Sequence, residues 1–169
     1  MNAKSRVLII DDDEDVIALL RHHLSDAGYE LIHALGGIEG LAMAIGESPD
    51  IVVSDILMPG FDGFGVLAAL RANAPTCALP IVFLTVVDDT ESKARAMRLG
   101  VDAYLNKPVL REPLLEAVAA GLRRSKNRRP EPGACDFDPL VDMTAGDTLL
   151  MRDFATLRPM RRLPPPPGT

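Results

Sequence analysis

The sequence of 169 residues has few of the features that mark secreted, metal-bound or membrane proteins. Its only two cysteines, Cys77 and Cys135, lie far apart and lack the spacing of a metal site. No secretory segment precedes the first apolar run, and every apolar run is far shorter than the roughly twenty residues that span a membrane. We therefore expect a soluble protein, without membrane association, in a reducing cytoplasmic compartment.

Positive charge is scarce in the first 122 residues, which carry 9 Lys and Arg against 18 Asp and Glu, a net charge of −9. Residues 123–169 carry 9 basic and 6 acidic residues, a net charge of +3. Affinity for DNA depends on the neutralisation of phosphates by Lys and Arg. We therefore expect no direct nucleic-acid binding.

Several short apolar runs each end in a side chain that can bind or transfer a charged group. These are Asp11 and Asp12 after residues 7–10, Asp55 after 51–54, Thr85 after 81–84 and Lys107 after 103–105. A single acid at a strand end is more often a solvated loop residue or a helix cap. In a parallel sheet, however, buried strands are near-continuous apolar runs and ligands collect at their carboxyl ends. Together, these strand ends predict one site with carboxylates, a hydroxyl and an ammonium group.

Helical patterns alternate with the apolar runs. Five strands and five helices in alternation predict βαβ crossovers, and hence a three-layer (βα)5 sandwich of the α/β class with a doubly wound, five-stranded parallel sheet. Asp62 is placed to cap the third helix. We expect Asp88 and Asp89 in the first turn of the fourth helix. Its apolar side, with Ala94, Met97 and Ala96 as a third candidate, is so modest that the helix is weakly anchored.

The alternation stops after the fifth helix, which we predict to run from about Arg111 to Arg124. We therefore divide the chain into one domain at 1–124 and a basic, proline-rich linker with a mostly irregular tail at 125–169. One alternative for the tail is a short helix at 147–157 that docks on a partner.

Several motifs occur in the order, and near the spacing, of the receiver domain of two-component response regulators. They are the pair Asp11-Asp12, the segment from Asp55 through Met58-Pro59-Gly60 to Asp62-Gly63, Thr85, and Asn106-Lys107-Pro108. The chain resembles that family over roughly residues 5–123. The resemblance implies that Asp55 is the phosphoacceptor and that Thr85 and Lys107 contact the phosphoryl group. It also implies a Mg²⁺ ion held by Asp11, Asp12, Asp55 and the backbone carbonyl of Leu57, and a switch formed by Thr85 and Tyr104.

The implied function is a phosphorylation-controlled signalling switch, which is not an enzyme beyond its own phosphotransfer and autodephosphorylation. Its donor would be a sensor histidine kinase or a histidine phosphotransfer protein. An unidentified downstream protein, or a second copy of the chain, would bind the face formed by the fourth helix, fifth strand and fifth helix.

Two alternatives remain open. One is a receiver fold that works as an interaction module without phosphorylation. The other is a phosphatase of the haloacid dehalogenase type, but that family needs an acid two residues after its nucleophile, where this chain has Leu57.

One position departs from the family pattern. Receiver domains usually have a small residue after the switch threonine, and this chain has Val86. We expect Val86, Val87 and Leu57 to border the site, to slow phosphorylation by small donors and to prolong the phosphorylated state.

Overall fold

The computed structural model describes residues 3–86 and 88–127. Strands and helices alternate through these ranges in the order β1 (Arg6–Ile10), α1 (Glu14–Asp26), β2 (Glu30–Ala34), α2 (Gly37–Glu47), β3 (Ile51–Asp55), α3 (Gly63–Ala72), β4 (Ile81–Thr85), α4 (Thr90–Arg98), β5 (Ala103–Asn106) and α5 (Arg111–Asn127). The predicted linker and tail after Asn127, including the helix at 147–157, lie outside the described residues. The domain boundary stays a prediction.

The strands form one sheet in the order β2-β1-β3-β4-β5, and every neighbouring pair is parallel. The order reverses after β2 because β1 lies between β2 and β3. This arrangement confirms the predicted doubly wound α/β fold. It also brings the carboxyl ends of β1, β3, β4 and β5 to one edge, which we call the carboxyl edge; the opposite side of the sheet is the amino edge.

Alternate residues of each buried strand face two separate apolar layers, as the period of two in a strand requires. In β1, Val7 and Ile9 pack with apolar residues of α1 and α5, whereas Leu8 and Ile10 pack with those of α2, α3 and α4. The central strands β3 and β4 are buried along their whole length. The sheet therefore holds the strand ends of the carboxyl edge in fixed relative positions.

The structure agrees with the predicted start of α3 but extends the predicted end of α5. The Asp62 side chain accepts a hydrogen bond from the Gly65 N–H at 2.8 Å, as predicted for the cap of α3. Helix α5 continues beyond its predicted end at Arg124 to Asn127. No helix within 3–86 and 88–127 is long and apolar enough to cross a membrane.

The prediction for α4 was wrong in two respects. Asp88 and Asp89 precede the helix rather than forming its first turn, and Asp89 caps it by accepting from the Ser92 N–H at 2.6 Å. Met97 is 69% exposed and Ala94 is also exposed, so of the three predicted apolar residues only Ala96 is buried. One small buried side chain leaves α4 attached to the sheet by little apolar contact.

Candidate functional site

The predicted site residues lie together at the carboxyl edge. Asp55 is the last residue of β3, between Asp11 after β1 and Thr85 at the end of β4, and Lys107 follows β5. The pairing of β3 with β4 places Asp55 beside Leu84, one residue before Thr85. The sheet therefore delivers carboxylates, a hydroxyl and an ammonium group to one place, as the apolar runs predicted.

Three carboxylates form a cluster at this edge. Ligand oxygens of Asp11, Asp12 and Asp55 all lie within 4.8 Å of one another. Asp11 is fully buried, Asp55 is 6% exposed and Asp12 is exposed. Such a group of hard oxygen donors, open on one side, suits a divalent cation that keeps several of its waters.

Lys107 provides the positive charge that faces the buried acids. Its Nζ lies 2.9 Å from Asp11 Oδ2 and 3.2 Å from Asp55 Oδ2. Asp11 also accepts a hydrogen bond from the Asp13 N–H at 2.9 Å, which orients its other oxygen. One ammonium group is therefore shared between two buried carboxylates.

The charges at this edge do not balance. Burial raises the pKa of Asp55, and the nearby charge of Asp11 raises it further, against the lowering effect of Lys107. For Lys107, burial favours a lower pKa, but the hydrogen bond that it donates to Asp11 and the charges of Asp55 and Asp11 outweigh this effect, and its pKa is raised. The site thus holds a firmly protonated lysine and an acid that is costly to ionise.

The loop after β3 passes close to Asp55. A Cβ atom added at Gly63 would lie 2.4 Å from the backbone oxygen of Asp55, so only glycine allows α3 to start this near the strand end. The Leu57 N–H lies 3.4 Å from Asp55 Oδ1 as a long hydrogen bond, while the Leu57 side chain is 53% exposed. The Leu57 backbone is therefore at the site. The need for Gly63 was not foreseen, although Gly directly after a capping Asp was a usable signal.

Thr85 and Tyr104 occupy the strands beside Asp55. Thr85 is buried, and its backbone oxygen accepts a hydrogen bond from the Lys107 N–H at 2.7 Å. Tyr104 is half-buried, packs against the apolar layer of α2, α3 and α4, and has Lys93 Nζ 5.7 Å from its ring centre. Lys93 is in turn ion-paired with Asp88, in the segment between β4 and α4. Tyr104 is therefore linked through Lys93 to the beginning of α4, and Thr85 is linked through its backbone to Lys107.

Comparison with known proteins shows a consistent relationship. Residues 7–119 match the family model of the response regulator receiver domain. The chain is 38% identical to the DNA-binding dual master transcriptional regulator RpaA of Synechocystis over 71% of this chain and 50% of RpaA. It is 33% identical to the alkaline phosphatase synthesis transcriptional regulatory protein PhoP of Bacillus subtilis over 90% of this chain and 62% of PhoP. The chain thus spans only about half to two thirds of these relatives.

A relative that the match covers almost completely and a solved structure agree with this. Protein PilH of Pseudomonas aeruginosa is 37% identical over 70% of this chain and 98% of its own length. The chemotaxis protein CheY4 of Vibrio cholerae superposes with a TM-score of 0.66 at 34% identity, covering 69% of this chain and 98% of CheY4. Because one relative carries "DNA-binding" in its name, the expectation of no nucleic-acid binding is not supported.

Proposed function

The chain belongs to the response regulator receiver domain family, and on that premise we propose that it accepts a phosphoryl group on Asp55 from a phosphohistidine donor in a Mg²⁺-dependent reaction. Receiver domains are signalling proteins rather than classical enzymes, and the homologues are response regulators of two-component systems. One observation carries the proposal: Asp55 lies among two further carboxylates and the Lys107 ammonium group at the carboxyl edge.

Asp55 is the proposed acceptor because of its position between the other groups. It ends the central strand β3, and one of its oxygens lies 3.2 Å from Lys107 Nζ while the other faces the Leu57 N–H. A carboxylate approaches a phosphoryl group poorly, because both are negative. Lys107 offsets part of that charge from one side, and Asp11 holds the ammonium group in place at 2.9 Å.

The residues present fit a Mg²⁺ ion. Asp11, Asp12 and Asp55 offer oxygens within 4.8 Å of one another, and the Leu57 backbone lies beside Asp55, so these four residues are the proposed ligands. When bound, such an ion would offset the negative charge of the acids and of an incoming phosphoryl group. Asp12, which is exposed, and Asp55 are the proposed direct ligands, whereas the buried Asp11 acts nearby or through water.

Thr85 and Tyr104 are the proposed switch. Thr85 would donate its hydroxyl to a phosphoryl oxygen on Asp55 and draw the segment before α4 inward. Because α4 buries little apolar surface, a small change in this segment can move the helix. Tyr104 would turn inward at the same time and change the face of α4, β5 and α5. That face is the proposed surface for the downstream protein or for a homodimer.

The test is intact-mass measurement of the full chain after incubation with Mg²⁺ and acetyl phosphate. We expect the mass of one phosphoryl group to be added. The variant Asp55→Asn, which is nearly isosteric, should add none, while the matched variant Asp15→Asn, an exposed acid in the first turn of α1, should label like the wild type. Full labelling of Asp55→Asn would overturn the assignment of the acceptor.

The same experiment separates the two alternatives. An interaction module that works without phosphorylation would add no phosphoryl group from acetyl phosphate or from a phosphohistidine donor. A phosphatase would release phosphate from a substrate with many turnovers. A cytoplasmic signalling switch should accept one phosphoryl group from a histidine kinase or a phosphotransfer protein, and it should not release phosphate from a substrate over many turnovers.

A further inference from the structure

Two cationic side chains attach helix α4 to its neighbours. The Arg95 guanidinium lies over the Phe64 ring of α3, with its Cζ 4.3 Å from the ring centre. The Lys93 Nζ lies 5.7 Å from the centre of the Tyr104 ring on β5. Both distances are within the range of cation–π attraction. Because Ala96 alone is buried among the nine residues of α4, the helix depends on such contacts rather than on a large apolar face.

The two contacts differ in the kind of ring that they involve. Phe64 is 6% exposed and packs edge-on against Phe83 of β4, with the ring centres 5.4 Å apart. Arg95 therefore joins α4 to a ring that is fixed within the core. Tyr104 is only half-buried, and it is the residue that the proposed switch turns inward. Lys93 therefore joins α4 to a ring that has to move.

Lys93 also binds Asp88, which lies two positions before α4. The ammonium group is ion-paired with one oxygen of Asp88, and the other oxygen accepts a long hydrogen bond from Asn106 Nδ2 at 3.4 Å. The hydrogen bond from Lys93 and its charge lower the pKa of Asp88, so the pair is charged at neutral pH. In the proposed switch, Thr85 draws this segment inward when Asp55 is phosphorylated. Both movements of the switch therefore take a partner away from the same ammonium group.

We propose that Lys93 is a positioning residue that holds the switch in its unphosphorylated arrangement. The inference rests on the proposed function, because it gives Lys93 a part in the movement of Tyr104. The ammonium group stabilises the outward ring and the outward Asp88 together, so it favours one of the two arrangements. Loss of this group should increase the inward population. It should also speed phosphorylation of Asp55, because the Thr85 hydroxyl faces the incoming phosphoryl group in the inward arrangement.

Tyrosine fluorescence tests this role without any phosphorylation. The chain has no tryptophan and only two tyrosines, Tyr29 and Tyr104, so the background variant Tyr29→Phe leaves Tyr104 as the emitter. Lys93→Met removes the ammonium group but keeps the apolar stem, at a side chain that is 45% exposed. We expect quenching by acrylamide to fall by roughly a third, as a few-fold change in the ratio of two comparably populated arrangements would produce.

Two matched variants control this measurement. Lys93→Arg keeps a cation that can lie over the ring and should be quenched like the background variant. Arg98→Met removes an exposed cation from the same helix and should also leave quenching unchanged. Unchanged or stronger quenching in Lys93→Met would overturn the proposed role, because the side chain would then do no more than cover the ring. An equal fall in Arg98→Met or in Lys93→Arg would overturn it as well.

Phosphorylation gives a second readout, measured by intact mass over time with Mg²⁺ and acetyl phosphate. The initial rate should rise roughly twofold in Lys93→Met and stay unchanged in Lys93→Arg and Arg98→Met. The fluorescence change should persist in the Asp55→Asn background, since it needs no acceptor. If no variant is labelled but the fluorescence change is present, the proposed function fails and the contact of Lys93 with Tyr104 stands. If Lys93→Met is labelled at the rate of the wild type, the proposed role of Lys93 fails and the proposed function stands.

Discussion

The two edges of the same sheet both bury acidic side chains, but they balance the charge in opposite ways. At the carboxyl edge, Asp11 and Asp55 share one ammonium group, that of Lys107. At the amino edge the Asp102 side chain, 1% exposed, lies 3.9 Å from each of two guanidinium groups, those of Arg71 and Arg124. Asp102 also accepts a hydrogen bond from the Ile81 N–H at 3.0 Å.

The difference separates stability from function. At the amino edge, two guanidinium groups and a backbone N–H of the protein itself lie next to Asp102. No bound ion is needed to offset its charge, so this edge contributes to the stability of the fold. The carboxyl edge keeps an excess of negative charge, which raises the pKa of Asp55. Perturbed titration of this kind is common at functional sites. This surplus of negative charge is the feature that a bound divalent cation would offset.

The largest effect on stability should come from the amino edge. Arg71 is 8% exposed and donates to the backbone oxygens of Leu79 at 2.7 Å and Gly100 at 2.9 Å. Arg71→Met keeps the apolar stem but leaves both oxygens and Asp102 without this cation. We expect unfolding to become easier by about 3 kcal/mol, and the Tm to fall by roughly 10 °C.

Thermal denaturation followed by circular dichroism measures this change. The control is Arg123→Met, the same substitution at an exposed position of α5, which should leave the Tm almost unchanged. Equal effects of the two variants would show that the buried guanidinium contributes nothing beyond its stem.

Lys107→Met should destabilise the protein less, by about 2 kcal/mol, because the site is partly solvated and the acids can take up protons. The loss should shrink in the Asp55→Asn background, where one of the two acids is already neutral. Chemical denaturation of the two single variants and the double variant measures the coupling. The exposed Lys4 offers the control Lys4→Met.

The stability that Lys107 contributes should depend on pH in one direction. The pKa of Lys107 is raised above its ordinary value of 10.5, so its stabilising effect is fully present below that pH and is lost as the pH rises through the folded-state pKa. Lys107→Met and the wild type should therefore converge in stability at strongly alkaline pH. A difference that stays constant there would show that the lysine acts through packing.

The matched pair Asp55→Asn and Asp102→Asn gives the sharpest test of the comparison. The same chemical change should raise the Tm by several degrees at the carboxyl edge, where it removes a crowded charge, and lower it at the amino edge, where it removes the partner of two guanidinium groups. Two changes of the same sign would break the distinction between the edges.

The effect of Asp55→Asn also depends on pH. The folded-state pKa of Asp55 lies above 3.8, so the folded protein binds the proton more tightly than the unfolded chain and the wild type loses stability as the pH rises through this interval. The advantage of Asp55→Asn should therefore be present at neutral pH and disappear below about pH 3.8. Thermal denaturation across this range measures it.

The carboxyl edge could be predicted from the sequence because its residues are tied to local patterns. Each follows a strand that is recognisable as an apolar run, and parallel strands bring such ends together without further information. Asp62 likewise lies at a fixed offset from the helix that it caps. Order along the chain was therefore enough to predict both the fold and the grouping of Asp11, Asp55 and Lys107.

The amino edge could not be predicted in this way. Arg71 looks like a surface residue of α3, and Asp102 like a loop acid, and 31 positions separate them. Their contact depends on how the loops before β4 and β5 pack, which no local period encodes. The wrong prediction for Met97 has a related cause: α4 contains so few large apolar residues that its pattern does not define which side faces the sheet.

The smallest expected effect concerns Val86, at the rim of the carboxyl edge. Its side chain is 69% exposed, so Val86→Ala should change the free energy of unfolding by less than about 0.5 kcal/mol. If its methyl groups restrict the approach of donors and water to Asp55, the variant should speed both phosphorylation by acetyl phosphate and loss of the phosphoryl group. We expect each rate to rise by roughly threefold, which corresponds to a fall of less than about 1 kcal/mol in activation free energy.

Met97→Ala, at a position that is also 69% exposed, is the control and should alter neither rate. Both rates are measured by intact mass over time. Faster dephosphorylation alone would place Val86 on the path of water but not of the donor, and unchanged rates would show that an exposed valine at this rim does not crowd the site.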